Sequence, residues 1–282
     1  LPKSTSLRVS RLGYYSEEQD ENFITFNTLE GYLETIKDYI NIPNDKFKDI
    51  SLDLKQQVNN GTIQMESELY NHIRPKGVIS KDIRPYNQLK ENGIEYLEIR
   101  SIDLNPYSAI GISMEDIEFL ELVSLYCALS DAPKINDVES LCIKENIRRS
   151  SESGQNCNFI SSLDGDKAEA PADVITNSFL GELEDFAKMI GLSKEKKKMF
   201  EEFFQRNTTT LSMKFIEDVE RSGGVLPLVL EKSAHTKRNI DDKNLSLFKK
   251  ERELSEKEYL KEKNEDKILF EDYLEAFRGE IK

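Results

Sequence analysis

Two short stretches carry the residue types that can do chemistry. In "IEYLEIRSIDL" (94–104), the alternation of an extended chain puts Ile94, Tyr96, Glu98, Arg100 and Ile102 on one face and Leu97 and Ile99 on the other. A fixed acid therefore stands beside a fixed base. Two readings follow: an exposed ion pair, which stabilises little, or a ligand face where a carboxylate takes a cation and a guanidinium takes an anion. A second stretch, "GTIQMESELYNHIRPKG" (61–77), read as extended, aligns Glu66, Glu68, Tyr70, His72 and Arg74 on one side, with Met65, Leu69 and Ile73 on the other. Side by side in one sheet, the two would make a polar surface with oxygen ligands for Mg²⁺ and cationic clamps for phosphoryl groups, which suits Mg-nucleotide chemistry. A solvated sheet face has the same pattern, and spacing alone leaves both readings open.

The elements that must position these residues are partly legible. "NFITFNTLEGYLETIKDYI" predicts a strand through Phe23, Ile24, Thr25 and Phe26, then a helix capped by Asn27 with Glu30 and striped by Leu29, Leu33, Ile36 and Ile40. A polar loop holding Pro85 and Gly93 leads to the 94–104 strand. Beyond it, Ser113 and Asp116 form a capping box for "MEDIEFLELVSLYCALSD", a helix apolar almost all round in its second half and expected in the core, with Cys127 buried. Residues 1–135 thus read as sheet and packed helices, 136–175 as a long loop on account of the Ser-, Gly- and Asn-rich run "RRSSESGQNCNFISSLDGDKAEAPAD", and 176–282 as a helical region. Its helices are predicted over 177–191, 194–206, 211–222 and 225–235, before a mixed-charge helical tail without heptads.

Composition excludes several classes. A formal net charge of −14 over 282 residues argues against a nucleic-acid surface. No apolar run reaches the length that spans a bilayer and no signal peptide is recognisable, so the expected compartment is the cytosol. Cys127, Cys142 and Cys157 lack metal-ligand spacing and read as free thiols. His72 and His235 sit in no Ser or Cys motif for nucleophilic catalysis, and no Gly-rich phosphate loop is present.

The particular residues go further than their pattern. "TSLRVSRLGY" (5–14), "ESELYNHIRPK" (66–76), "GIEYLEIRSIDLNPYSAIGI" (93–112) and "FLELVSLYCALSDAP" (119–133), in that order, resemble the C-terminal half of bacterial glutamate-cysteine ligases of the enterobacterial type. The match thins after about residue 135, where "LSMKFIEDVE" and the charged tail remain similar. The resemblance implies an α+β fold: part of the antiparallel-sheet funnel of glutamine synthetase-like carboxylate-amine ligases, followed by a large helical part. It implies ATP-dependent joining of the L-glutamate γ-carboxylate to the amine of L-cysteine through an acyl phosphate, with ATP and Mg²⁺ required.

Carried over singly, Glu98 matches the Mg²⁺ ligand and Arg100 the arginine that faces the phosphate and acyl centre. Arg8 matches a residue that binds a substrate carboxylate, Tyr14 and Tyr70 match the walls of a cysteine pocket, and Arg74 is a phosphate or substrate contact. Two departures stand out. The N-terminal half that supplies further carboxylates in the family has no counterpart here, and the chain, starting without Met inside a patterned segment, reads as part of a longer polypeptide. Where a Gly-Arg-x-Pro-Gly loop is expected, residues 153–157 read Ser-Gly-Gln-Asn-Cys. Two alternatives stay open: a non-catalytic or regulatory relative, and a ligase of the same chemistry with another acceptor amine.

Overall fold

The structure is a computed structural model that describes residues 4–20, 24–52, 57–78, 83–163, 166–193, 195, 196, 198, 200, 210–238, 242–265, 268–279 and 281. The chain divides into a larger unit reaching Lys214 and a smaller helical one, Phe215–Ile281. Among the described residues the larger unit is α+β, with two small antiparallel sheets of two strands each.

Strands β1 (Ile73–Lys76) and β2 (Tyr96–Ile99) pair so that Arg74 stands opposite Glu98 and Lys76 opposite Tyr96. The predicted pairing of the two chemistry-bearing stretches therefore forms, but over a shorter length. Residues Glu66–Glu68 turn as a single 3₁₀ helix instead of continuing the strand. The reason is local: Glu68 folds back so that its carboxylate accepts from the Gln64 amide at 2.7 Å, an alternative to a ladder bond.

The helices preceding this ribbon are α1 (Glu17–Asp20) and α2 (Leu29–Asn41), and α3 (Pro85–Asn92) connects its strands. The α2 stripe buries Leu33, Ile36 and Ile40 together with Tyr32 and Tyr39. Its cap is Thr28, whose hydroxyl accepts from the Gly31 amide, while Asn27 pairs through its amide group with the backbone of Ile135. Ile24–Phe26 form no strand, and Phe23 lies outside the described residues. The expected loop at Pro85 is helical because proline at the first turn forfeits no intrahelical bond, and Gly93 at φ 77° ends it as only glycine does readily.

Helix α4 (Met114–Leu129) starts on the predicted Ser113–Asp116 capping box. Its expected burial is corrected. Leu122 packs with Phe186, Ala187 and Phe200, and Phe119 and Tyr126 close over them, but Leu125, Leu129 and Cys127 are exposed. An all-round apolar helix is buried all round only if neighbours surround it; α6 (Ala172–Met189) meets one side.

The 136–175 stretch is largely ordered and not a loop. Helix α5 runs Asp137–Ser153 from an Asn136–Glu139 capping box, and strands β3 (Asn158–Leu163) and β4 (Asp166–Pro171) form a hairpin that packs on it. Its serines are tolerated because a ladder of Arg148 and Arg149 on Glu145, each at 2.7 Å, stabilises the helix surface. Helices α7 (Leu211–Arg221), α8 (Val225–Arg238), α9 (Asp242–Glu265) and α10 (Phe270–Gly279) complete the chain. The helix predicted over 194–206 lies mostly outside the described residues. Among the described residues, no helix is long and apolar enough to cross a membrane.

Candidate active site

Arg8, Tyr14, Tyr70, Arg74, Glu98 and Arg100 converge, although they come from three separate segments. Tyr14 is the hub. Its hydroxyl donates to the Leu69 carbonyl at 3.1 Å and accepts from Arg74 Nη2 at 2.6 Å. Its ring stacks on Tyr70 with centroids 4.5 Å apart, and the Arg100 and Arg8 guanidinium carbons lie 4.8 and 5.6 Å from its centroid. Arg8 Nε also donates to the Arg100 carbonyl at 2.5 Å.

The segment carrying Arg8 and Tyr14 is held by local turns and by α5. Gly13 N–H donates to Ser10 O and Tyr14 N–H to Arg8 O, a double turn so tight that a Cβ at Gly13 would collide with the carbonyls of Leu7 and Arg8. Its upstream end is tied to the last turn of α5: Ser4 Oγ and the Thr5 amide donate to Ser151 O at 2.6 and 3.0 Å, and Thr5 Oγ1 donates to Ser150 O at 2.7 Å. The bonds to Ser151 O satisfy a carbonyl that a helix C-terminus leaves open, while Ser150 O, which already accepts from the Gly154 amide, takes Thr5 Oγ1 as a second donor. The helix that composition disguised is thus what anchors Arg8 and Tyr14.

On the ribbon, the Arg100 amide donates to His72 O at 2.8 Å and extends the pairing one step beyond β2. Glu98 Oε1 lies 3.8 Å from Arg100 Nη1 and Oε2 lies 3.4 Å from Lys76 Nζ. The latter contact is an ion pair without hydrogen-bond geometry, since the buried Oε2 has no hydrogen-bond partner. Arg74 is 4 % exposed and donates to Tyr14 Oη, Ser67 O and Leu69 O. Burial pushes its pKa down, with the nearby Arg100 charge acting in the same direction and Tyr14 and Glu98 opposing. Burial likewise lowers His72 and raises Tyr32 to about 12.

Glu66 and Glu68, placed on this face by the extended reading, do not join it. Glu66 is sealed in a buried pair with Arg84, Nε to Oε1 at 2.9 Å and to Oε2 at 3.1 Å, and also accepts from the Tyr86 amide. Sequence reasoning missed Lys76, although period two puts it beside Arg74. It also missed Gln19, whose side chain bridges Glu68 O and the Tyr70 amide at 2.9 and 2.8 Å and so fixes Tyr70. No sequence pattern marks Gln19. For a metal, no group of three His, Cys, Asp or Glu side chains occurs among the described residues. Glu98 offers one carboxylate with an oxygen free of hydrogen bonds, enough for a cation that takes its remaining oxygens from phosphate and water.

The family model described as glutamate-cysteine ligase matches residues 1–150. This chain belongs to the glutamate-cysteine ligase family. It is 35 % identical over 285 residues to a glutamate-cysteine ligase from Wigglesworthia glossinidia brevipalpis, covering 94 % of this chain and 55 % of that one. The corresponding protein from Proteus mirabilis is 32 % identical, with 99 % and 55 % covered. A crystal structure of glutamate-cysteine ligase from Francisella tularensis in complex with AMP superposes with a TM-score of 0.83 at 26 % identity, covering 98 % of this chain and 57 % of that one. A bifunctional glutathione synthetase from Pasteurella multocida shares the fold at a TM-score of 0.62 and 20 % identity, over 83 % of this chain and 26 % of that one. This member of the family spans about half the length of the curated relatives it matches.

Proposed function

We propose that the face built on β1, β2 and the Arg8–Tyr14 turn is one wall of the site of an ATP-dependent glutamate-cysteine ligase. The observation that carries the reading is the convergence on Tyr14 of Arg8, Arg74 and Arg100 with Glu98 alongside, from segments up to 92 residues apart. The reaction passes through transfer of a phosphoryl group to an oxygen of the glutamate γ-carboxylate. The cysteine amine then attacks the acyl carbon, the C–O bond to phosphate breaks, and the amine loses a proton.

Arg100, partly exposed and facing the same space as Glu98, steadies the charge that develops at the acyl and phosphoryl oxygens. Arg8 receives a substrate carboxylate, and the stacked Tyr14 and Tyr70 flank the cysteine. Glu98 would hold Mg²⁺, which when bound screens the nucleotide phosphates. The AMP held by the Francisella relative supports an adenine nucleotide as a ligand here as well. Since that relative and the curated ones are about twice as long, the remaining wall belongs to the half of the family sequence with no counterpart here. The free thiols of Cys127, Cys142 and Cys157 accord with work in the reducing cytosol.

The test is ADP release with glutamate, cysteine, ATP and Mg²⁺, on this chain and on one extended upstream with the segment its relatives carry. Turnover by the extended chain, abolished in Glu98→Gln and Arg100→Ala with the fold retained, is the expected result. An extended chain that releases no ADP with any acceptor amine overturns the proposal; release with an amine other than cysteine moves the acceptor assignment only.

A further inference from the structure

We propose that Gln19 is a positioning residue for the acceptor amino acid, setting the place of the Tyr70 ring from the same segment that carries Tyr14. The proposal rests on the ligase reading, in which Tyr70 flanks the cysteine. Gln19 is 8 % exposed and belongs to α1, the single helical turn just after Tyr14, where its own amide donates to Ser16 O at 3.3 Å. Its side chain grips a stretch 49 to 51 residues away: Nε2 donates to Glu68 O at 2.9 Å, and Oε1 accepts from the Tyr70 amide at 2.8 Å. A carbonyl and the amide two residues on are what a neighbouring strand would engage. A side-chain amide therefore stands in for a strand where the chain leaves its 3₁₀ turn.

Tyr70 needs such a hold. It is 42 % exposed and borders a cavity of about 920 Å³ whose wall also includes Tyr14, Gln19, Asn71 and His72. Packing thus leaves its ring room to swing. Two contacts oppose that motion: the stack on Tyr14, with centroids 4.5 Å apart, and the bond from the Tyr70 amide to Gln19. Both come from one short segment. Tyr14 Oη donates to Leu69 O, between the two backbone groups that Gln19 holds, so Glu68 O, Leu69 O and the Tyr70 amide are all engaged from residues 14–19.

The residue type matters because the bridge needs a donor and an acceptor together at one tip. An ionised Glu offers no donor, Met offers neither, and Asn falls one methylene short. Without the bridge, the Tyr70 amide and Glu68 O turn to water and the ring leaves its place beside the acceptor. The phosphate-facing groups are held differently: Glu98 contacts Lys76 and Arg100, the Arg100 amide donates to His72 O, and the Arg100 guanidinium lies over Tyr14. Loss of Gln19 should therefore weaken acceptor binding alike in ground and transition states, raising the KM for cysteine without changing kcat or the KM for ATP.

The experiment measures ADP release by the upstream-extended chain as wild type, Gln19→Met, Tyr70→Ala and the double variant. Gln19→Met should raise the KM for cysteine about tenfold, the equivalent of one lost hydrogen bond, with kcat and the KM for ATP unchanged. The double variant should match Tyr70→Ala alone, because Gln19 acts through that ring; a merely structural role would add its loss on top. On this chain by itself, near-ultraviolet circular dichroism reports the tyrosines without interference, since the sequence has no Trp. That signal should weaken in Gln19→Met while the far-ultraviolet spectrum holds. If Gln19→Met does not fold, Gln19→Asn replaces it throughout. An unchanged cysteine KM, equal rises in the cysteine and ATP values, or an additive double variant overturns the proposal and leaves the ligase reading standing. No ADP release by the wild-type extended chain with any acceptor amine sinks the ligase reading and the acceptor role with it; the tyrosine signal then still decides whether Gln19 holds the ring. Release with an amine other than cysteine moves the same KM comparison to that amine.

Discussion

Replacing Arg74, the phosphate or substrate contact expected from the family, by Met should barely alter stability while removing anion binding, which is unusual for a residue only 4 % exposed. On the favourable side stand its bonds to Tyr14 Oη, Ser67 O and Leu69 O. At about 1.5 kcal/mol each, the low end for bonds that involve a charged group, they sum to about 4.5 kcal/mol. Against them stands the desolvation of an unpaired guanidinium, an effective cost of several kcal/mol. Met retains most of the aliphatic packing, Leu69 O keeps the donor it has in Tyr14, and the Tyr14 hydroxyl loses one of two bonds but keeps its own to Leu69 O, so the main loss falls on Ser67 O. The terms nearly cancel, and Arg74→Met should unfold in urea within about 1 kcal/mol of the wild type. Pyrophosphate calorimetry on the same variant should register no binding. A loss above about 3 kcal/mol, the range seen when a compensated buried charge is broken, would show that Arg74 is already satisfied in the folded chain and refute the reasoning.

The contrasting variant is Glu66→Gln, which strips the carboxylate from the buried Arg84 and should cost about 3 kcal/mol by urea unfolding. Ser113→Ala removes the cap acceptor of the Asp116 amide and should cost about 1 kcal/mol, read as a lowered Tm with α4 still formed. Glu145, hydrogen-bonded first by Arg148 and then by Arg149, has its pKa lowered from 4.5 to about 2. The folded chain resists a proton that the unfolded chain accepts, so its stabilising contribution is complete above pH 4.5 and fades as pH falls toward 2. Glu145→Gln should therefore be less stable than the wild type at pH 6, with the gap closing in acid-unfolding profiles near pH 2.

What the sequence determined alone is what depends on neighbours a few residues apart. Period two put Glu98 and Arg100 on one face and Lys76 beside Arg74, and the Ser113–Asp116 box fixed the start of α4. The order of four motifs identified the family and singled out residues that the structure brings together, but not the geometry in which they meet. Composition misled where local rules compete. The Ser-rich 148–153 run reads as loop, yet it is the last turn and a half of a helix secured by an Asn136 cap and by arginine pairs. The extended reading of Glu66 and Glu68 failed because each carboxylate found a nearer partner.

Tertiary structure alone decided how the site is assembled. Nothing local tells Tyr14 that Arg74 will reach its hydroxyl from 60 residues away, or that Gln19 will hold Tyr70. Nor does an apolar helix reveal which sides its neighbours will cover, as the exposed Leu125 and Leu129 of α4 demonstrate. Local rules act through backbone dihedrals and adjacent side chains, so they are written in the order of residues. Burial and charge balance are sums over everything packed within a few ångströms, and those sums exist only once the chain has closed on itself.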